Sequence, residues 1–467
     1  MHVARCPSRS TAIMAYDPRS THYLCFSDAT RSFADGSDSP RAFLERCVEQ
    51  IASLEPKVKA FAHLDIAGAR TDADRSSERW RSGQLLSAVD GMPIGIKDCF
   101  DVKGMPTEVN SALFRDHIAT TDAAHVDALR RSGAIIVGKT TTTELTMALP
   151  APTWNPWDLR RTPGGSSSGS AAAVAAGMLP IGTGSQVRGS VIRPASICGV
   201  IGMKPTFGAL NRFGGVDPSP SLNHLGFLSG TLTDLWAAAH QIARLVGGDP
   251  GYPIFAGGSQ LPAEHRPLRL ARQYTSGWPR TDEASKSAFE RFLRELATFG
   301  IEVFEPQSDP QLTEYEDATS RTPEFFFDLM TWELRWPMRI WREERPQAMS
   351  ENVRGYVGRA EEMIVDDYRR ALERRESLRR QHRALAGKVD AFVTLAHIGP
   401  GQLGQPLVGT PWYNDASSAI GAPTFNLPVL SVEDVPLGVQ IMGFEGKDED
   451  LAAVARWILR AFTGQTR

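Results

Sequence analysis

The stretch Thr162-Pro-Gly-Gly-Ser166-Ser-Ser-Gly-Ser-Ala-Ala-Ala-Val-Ala-Ala-Gly177 decides how this chain is read, because it admits two opposite interpretations. Glycine and serine at this density are the composition of a flexible linker. The linker reading fails on the apolar content of the same region. Ala171 to Ala176 is a run of strong helix formers. Beyond it, Val200-Ile201-Gly202-Met203 is a continuous apolar run of the kind that a strand buried on both faces carries. Residues 164–208 are therefore interior, and the elements around them have to cover them.

Upstream, Gly91-Met-Pro-Ile-Gly-Ile-Lys97-Asp98 reads as a short strand whose glycines let other backbone come close. Ala134-Ile-Ile-Val137 reads as a second buried strand, preceded by a helix over 122–132. A more polar helix fits 66–83. Phe43, Leu44, Cys47, Ile51 and Leu54 recur at helical spacing from Pro40 onward, with Asp38 or Ser39 as the cap. Downstream, residues 280–390 alternate charged and apolar positions at helical spacing and hold Phe325, Phe326, Phe327, Trp332, Trp336 and Trp341. Strand-like runs return at Ala391-Phe-Val393 and from Leu437 to Gly443, and a helix from about Glu449 closes the chain. Helices alternating with short apolar strands, without an internal repeat, predict an α/β layered fold. Residues 1–38 are polar and are expected to form a poorly ordered leader, which leaves 39–467 as the domain.

Composition excludes several function classes. The chain has 467 residues, 42% hydrophobic and 22% charged, with a net charge of -3. That is an ordinary globular balance and gives no electrostatic case for nucleic acid or an anionic membrane. Its longest N-terminal apolar stretch, Tyr23 to Phe26, is too short for a secretory signal. Five scattered cysteines (Cys6, Cys25, Cys47, Cys99 and Cys198) with no CxxC pair fit unpaired thiols in a reducing, cytoplasmic setting. The sequence holds no HExxH, paired-histidine or clustered-carboxylate motif, so neither metal nor cofactor is expected.

Two motif matches compete for attention. Gly133-Ala-Ile-Ile-Val-Gly-Lys139-Thr140 fits the phosphate-loop pattern letter for letter. That chemistry needs a loop of exposed amides between the glycines, and here an apolar strand lies between them. Gly165-Ser-Ser167-Ser-Gly169 fits the nucleophile elbow of α/β-hydrolases, with His397 as a distant base. The elbow requires a strand just before it, and Asp158 to Gly164 reads as loop. None of the ten histidines falls between Lys139 and Ser221, so a serine site in this region needs another base, and a buried lysine can serve.

The stretch from Thr162 to Gly177, together with Gly184-Ser-Gln-Val-Arg-Gly-Ser190-Val-Ile-Arg-Pro-Ala195, resembles the two halves of the amidase signature. Ser166 and Ser190 stand 24 residues apart, as that family's two catalytic serines do. Gly91 to Asp98 is similar to the segment carrying its lysine. Cys198 to Gly208, Pro423 to Pro428 and Pro436 to Gly443 also match, so the likeness covers roughly residues 40–245 and 390–465. The resemblance implies a single large α/β/α layered domain around a mixed twisted sheet. Its signature core would span about 91–245, with a helical, aromatic-rich segment over about 280–390 forming the pocket wall. It further implies Ser190 as nucleophile, Ser166 in a cis peptide as the bridge, and Lys97 as the base. The oxyanion hole would come from the amides of Val187, Arg188, Gly189 and Ser190, with Ser167, Gln186 and Arg193 in support.

The pattern departs from the common family form in three places. Gln186 stands where an aspartate is usual, Arg188 replaces a glycine, and the arginine is displaced by one position to Arg193. The expected reaction is hydrolysis of small apolar or aryl amides, with carbamates (urethanes) open because the carbonyl chemistry is the same. The expected partner is that small molecule, with no nucleic acid or membrane and a monomeric or homodimeric state. Two alternatives stand beside it: the catalytic subunit of a tRNA-dependent amidotransferase, and an esterase of the α/β-hydrolase type using Ser167.

Overall fold

A computed structural model describes residues 15–147, 149–404 and 408–464. Its strands are β1 (Phe61–Leu64), β2 (Pro93–Lys97), β3 (Ile135–Thr140), β4 (Ile181–Gln186), β5 (Ile201–Lys204), β6 (His224–Ser229), β7 (Arg269–Arg272), β8 (Glu302–Phe304), β9 (Ala391–Leu395), β10 (Thr424–Val432) and β11 (Val435–Met442). They form one mixed sheet in the order β1-β3-β2-β4-β6-β5-β10-β11-β9-β7-β8. The α/β architecture expected from the alternation is therefore present, organised around a single eleven-stranded sheet.

Side chains alternate across a strand, so the two faces can be followed along β3. Ile135 and Val137 enter a cluster with Leu44 and Ile51 of the helix Pro40–Val58 and with Ala172 and Ala173 of the helix Ser168–Ala175. Ile136 points the other way, into a cluster holding Val126 and Leu129 of the helix Ala124–Arg131. Helices thus cover both faces, and the Ala-rich run of the deciding stretch is one of the covering helices. All eight residues of Ser168–Ala175 are buried.

β3, β2 and β4 run parallel, whereas β4 pairs antiparallel with β6. The parallel set brings its carboxyl ends, Lys97, Thr140 and Gln186, to one edge of the sheet. That edge is where α/β sheets place their ligands.

The leader expected over residues 1–38 is corrected in its second part, while residues 1–14 lie outside the described residues. Tyr16 is buried, its hydroxyl donates to the Pro428 carbonyl at 2.5 Å, and its N–H donates to Asp434 O at 2.8 Å. A helix over Phe26–Ala34 follows. The N–H groups of Phe26 and Ser27 at its start donate to the buried Asp234 carboxylate at 2.8 and 2.9 Å. Phe26 and Phe33 pack on Phe43. The polar composition concealed a two-residue apolar anchor. Phe26→Ala is expected to cost about 3–5 kcal/mol, read as a lowered denaturation midpoint, because it empties a fully buried ring site.

The middle segment is helical as expected, but its aromatic group divides. On the helix Thr322–Glu344, Phe325 and Phe326 are buried, Trp332 stacks on Tyr368, and Trp341 meets Phe114 edge-on. Trp336 is 66% exposed and faces away from the interior. The six aromatics do not form one wall.

Candidate active site

Lys97 ends β2 with no exposed surface, and its side chain enters the crowded edge between the two halves of the Gly/Ser-rich region. Nζ lies 2.7 Å from Ser166 Oγ, 2.8 Å from Ser185 Oγ and 3.3 Å from Ser185 O. The main chain of Lys97 is fixed by its N–H, which donates to Thr183 Oγ1 at 2.9 Å. Burial pulls the Lys97 ammonium down to about 8, with a further push from the Arg193 guanidinium. An amine at that level keeps most of its protons at pH 7, but a neutral fraction on the order of a tenth is present there and becomes the main form above about 8, and it offers a lone pair to a hydroxyl proton.

Two other buried lysines show what distinguishes this one. Lys139, from the phosphate-loop look-alike, meets Asp98 at 2.9 Å and also donates to Pro106 O and Thr107 Oγ1. It is an internal ion pair, and its predicted setting on a strand is what the structure shows. Burial pulls Lys204 lower than Lys97, to about 7, yet among the described residues its Nζ donates only to the carbonyl oxygens of Pro205 and Ala422. A carbonyl has no proton to give. Of the three, Lys97 combines a lowered affinity for its proton with serine hydroxyls in hydrogen-bond contact.

Ser166 follows a cis peptide bond from Gly165. Arg193 donates to the Gly165 carbonyl through Nε (2.8 Å) and Nη2 (2.6 Å), and to Gly409 O through Nη1 (3.0 Å). The displaced arginine thus holds the peptide that presents Ser166. The N–H of Ser167 donates to the Ser190 carbonyl at 3.2 Å, which ties the two serine segments together. The Ser167 hydroxyl has no partner among the described residues.

Gln186 occupies the end of β4, and its Oε1 accepts the N–H groups of Val191 (2.9 Å) and Ile192 (3.0 Å). The helix Ile192–Cys198 starts from this cap. Among the described residues, the preceding N–H groups of Val187, Arg188, Gly189 and Ser190 donate to no protein acceptor. A turn of unsatisfied amides is an anion-accepting concavity and can hold a carbonyl oxygen that gains charge.

Sequence reasoning missed what this turn rests on. The short helix Asp415–Ile420, some 230 residues further along the chain, forms its platform. Ser418 Oγ donates to Arg188 O at 2.6 Å and accepts from Gln186 Nε2 at 3.0 Å. The Arg188 guanidinium meets the buried Asp415 carboxylate through Nε (2.8 Å) and Nη2 (2.5 Å). A Cβ on Gly189 would sit 2.3 Å from Asn414 Oδ1, so the turn can lie this close only with glycine there. Ser185 was missed as well, although it lies inside the signature-like stretch. Its position one residue before Gln186 on β4 gives no hint of a contact to Lys97.

His397 is not placed for the elbow alternative. Its ring accepts the Thr410 N–H at Nε2 (3.1 Å), and Nδ1 lies 2.7 Å from Gly399 O. Burial pulls it down to about 4. The segment before Ser167 is loop, as the sequence predicts. Among the described residues, no group of three histidine, cysteine or acidic side chains could hold a metal ion, and no helix is long and apolar enough to cross a membrane.

A family model described as Amidase matches residues 42–452. A glutamyl-tRNA(Gln) amidotransferase subunit of Roseiflexus castenholzii is 30% identical, over 96% of this chain and 97% of its own. Its namesake from Chloroflexus aggregans is 36% identical, with 63% of each chain covered, so the match spans less than two thirds of that relative's length. A crystal structure described as an amidase is 28% identical, with a TM-score of 0.80 over 93% of this chain and 99% of that one.

Proposed function

The chain belongs to the amidase family and is thereby an enzyme acting on carbon–nitrogen bonds, and on that premise we propose that it hydrolyses small amides by a serine relay ending on Lys97. The observation that carries this reading is the 2.7 Å contact between Lys97 Nζ and Ser166 Oγ in a setting that loosens the amine's hold on its proton. A neutral amine has two N–H groups and one lone pair, so one of its three oxygen contacts must be a hydroxyl donating to it. In the proposed relay Ser166 is that donor, and the Ser185 oxygens accept.

In the proposed cycle Ser190 Oγ attacks the carbonyl carbon while its proton passes to Ser166, whose own proton passes to Lys97. The amides from Val187 to Ser190 receive the oxyanion. The tetrahedral adduct collapses, the proton returns through Ser166 to the leaving nitrogen, and an acyl-Ser190 ester remains. Water then attacks by the same relay and releases the acid. Carbamates obey the same bond-making and bond-breaking. Apolar acyl or aryl groups are favoured by Val187, which stands in the turn and joins an apolar cluster behind it.

A second reading is favoured by the relatives' printed names: the ammonia released would be passed on within an amidotransferase assembly. The purified chain alone, given an aryl anilide and separately a primary carboxamide such as glutamine, tells the two apart. Steady release of aniline or ammonia by the lone chain supports hydrolysis. Ammonia release that begins only when the other components of an amidotransferase are added would overturn it in favour of the second reading.

A further inference from the structure

Arg188 carries a charge where the turn usually needs only a glycine, and its surroundings show how that charge is used. The Asp415 carboxylate takes the Nε and Nη2 edge of the guanidinium. Among the described residues Nη1 has no hydrogen-bond partner, so the second planar edge, Nη1 with the remaining Nη2 proton, is open. Asp415 is 1% exposed, whereas 24% of the Arg188 side chain stays accessible. The guanidinium lies 5.7 Å from the Phe326 ring centre, and Tyr356 is close enough to act on it electrostatically. The side chain stands two residues before Ser190.

The charge count around the turn is unbalanced. Arg193, also buried, spends its donors on the carbonyls of Gly165 and Gly409, and among the described residues no carboxylate pairs with it. Asp415 acts on both arginines, so two guanidiniums face one carboxylate. Protonation of Lys97 would add a further positive charge. A partly buried site with an excess cation and an open, planar donor fork matches a carboxylate in both charge and geometry.

We propose that Arg188 is the specificity determinant of the site, its open Nη1/Nη2 edge receiving a carboxylate carried by the substrate at a short distance from the scissile amide. This rests on the proposed serine hydrolysis and narrows its substrates to amides with an anionic substituent, Val187 in the turn facing the spacer between the two groups. The Asp415 carboxylate orients the fork and keeps its other edge from competing.

The test uses labelling of Ser190 by a fluorophosphonate, followed by peptide mass, in competition with two matched series. Malonamate, succinamate and glutaramate carry the carboxylate, and propionamide, butyramide and valeramide are their neutral counterparts. At least one ω-carboxy amide is expected to halve the labelling rate at a concentration about tenfold or more below that of its neutral counterpart. In Arg188→Met combined with Asp415→Asn, which removes both charges and strands neither, the ratio is expected to fall to about one. Equal protection by both series in the wild type, or a preference that survives in the double variant, would overturn the proposal. Because each ratio is internal to one protein, damage to the turn cancels. Absence of any Ser190 labelling would strike the serine mechanism instead, and calorimetric titration with glutaramate against valeramide then decides the carboxylate site by itself.

Discussion

Ser190→Ala is expected to lower amide kcat by on the order of 10⁴- to 10⁶-fold and to abolish fluorophosphonate labelling at that position. The size of the loss follows from how the site is divided. The turn from Val187 to Ser190, with its free amides, is held by Gln186, Ser418 and Asp415 and not by the Ser190 hydroxyl. Removing one oxygen therefore leaves the oxyanion-accepting geometry in place, and the small residual rate is what that geometry gives to water attack. Ser190 is 7% exposed, so the loss of its hydroxyl exposes no large cavity, and the denaturation midpoint should stay close to that of the parent. Ser167→Ala supplies the contrast. Its hydroxyl has no partner among the described residues, so kcat is expected to stay within a few-fold of the parent. If Ser167→Ala abolished labelling while Ser190→Ala kept it, the assignment of the nucleophile would be wrong.

How much of this was legible in the sequence depended on how local the signal was. β2 and β3 could be read because a buried strand in a parallel set leaves a continuous apolar run, and both Lys97 and Lys139 fall at the ends of such runs. What separates the two lysines is not local. Lys139 meets an aspartate on the neighbouring strand's end, and Lys97 meets serines from two later segments. Only the ordered likeness to the amidase signature singled out Lys97 beforehand. Asn414, Asp415 and Ser418 were invisible for the same reason: nothing within Tyr413 to Ile420 reveals that a turn some 230 residues earlier rests on it. The helix Phe26–Ala34 was lost by dilution, two buried phenylalanines among polar neighbours. The aromatic group at 325–341 misled in the opposite direction. Spacing read residues 280–390 as helical but could not say which rings face the interior and which face solvent.

The departures from the common signature form are chemically coherent with one another. An aspartate at position 186 could accept the two amides of the helix Ile192–Cys198, and Gln186 does the same through Oε1. Its amide nitrogen gains a donor role toward Ser418 that a carboxylate lacks. Losing that negative charge beside a buried Arg193 leaves the site more positive, and Arg188 adds to the imbalance. Both changes therefore move the charge around the turn in one direction, toward the positive.

Lys97→Met carries the other large expected effect, a loss on the order of 10³- to 10⁵-fold in kcat/KM near pH 8, and it also tests the relay through pH. In the wild type the reactive form is the neutral amine. Burial places the proton affinity of Lys97 at about 8, so kcat/KM should rise with pH, about tenfold per unit below pH 8, and level off above it. The sign is fixed: acidification adds a proton to Nζ, the lone pair is lost, and Ser166 has no acceptor. Lys97→Met should lose this ascending limb along with most of the rate. The stability linkage has the same origin. An unfolded lysine holds its proton up to the ordinary value of 10.5, whereas the folded one releases it at about 8. Between these values the unfolded state binds more protons, and stability contributed by this group rises with pH across that window. Lys97→Met removes that contribution, so the difference in stability between wild type and variant should change between pH 8 and 10.5 and stay constant below pH 7. A wild-type kcat/KM that is flat from pH 6 to 9 would mean that Lys97 does not change charge in that range, and the titration of the relay placed here at about 8 would be wrong.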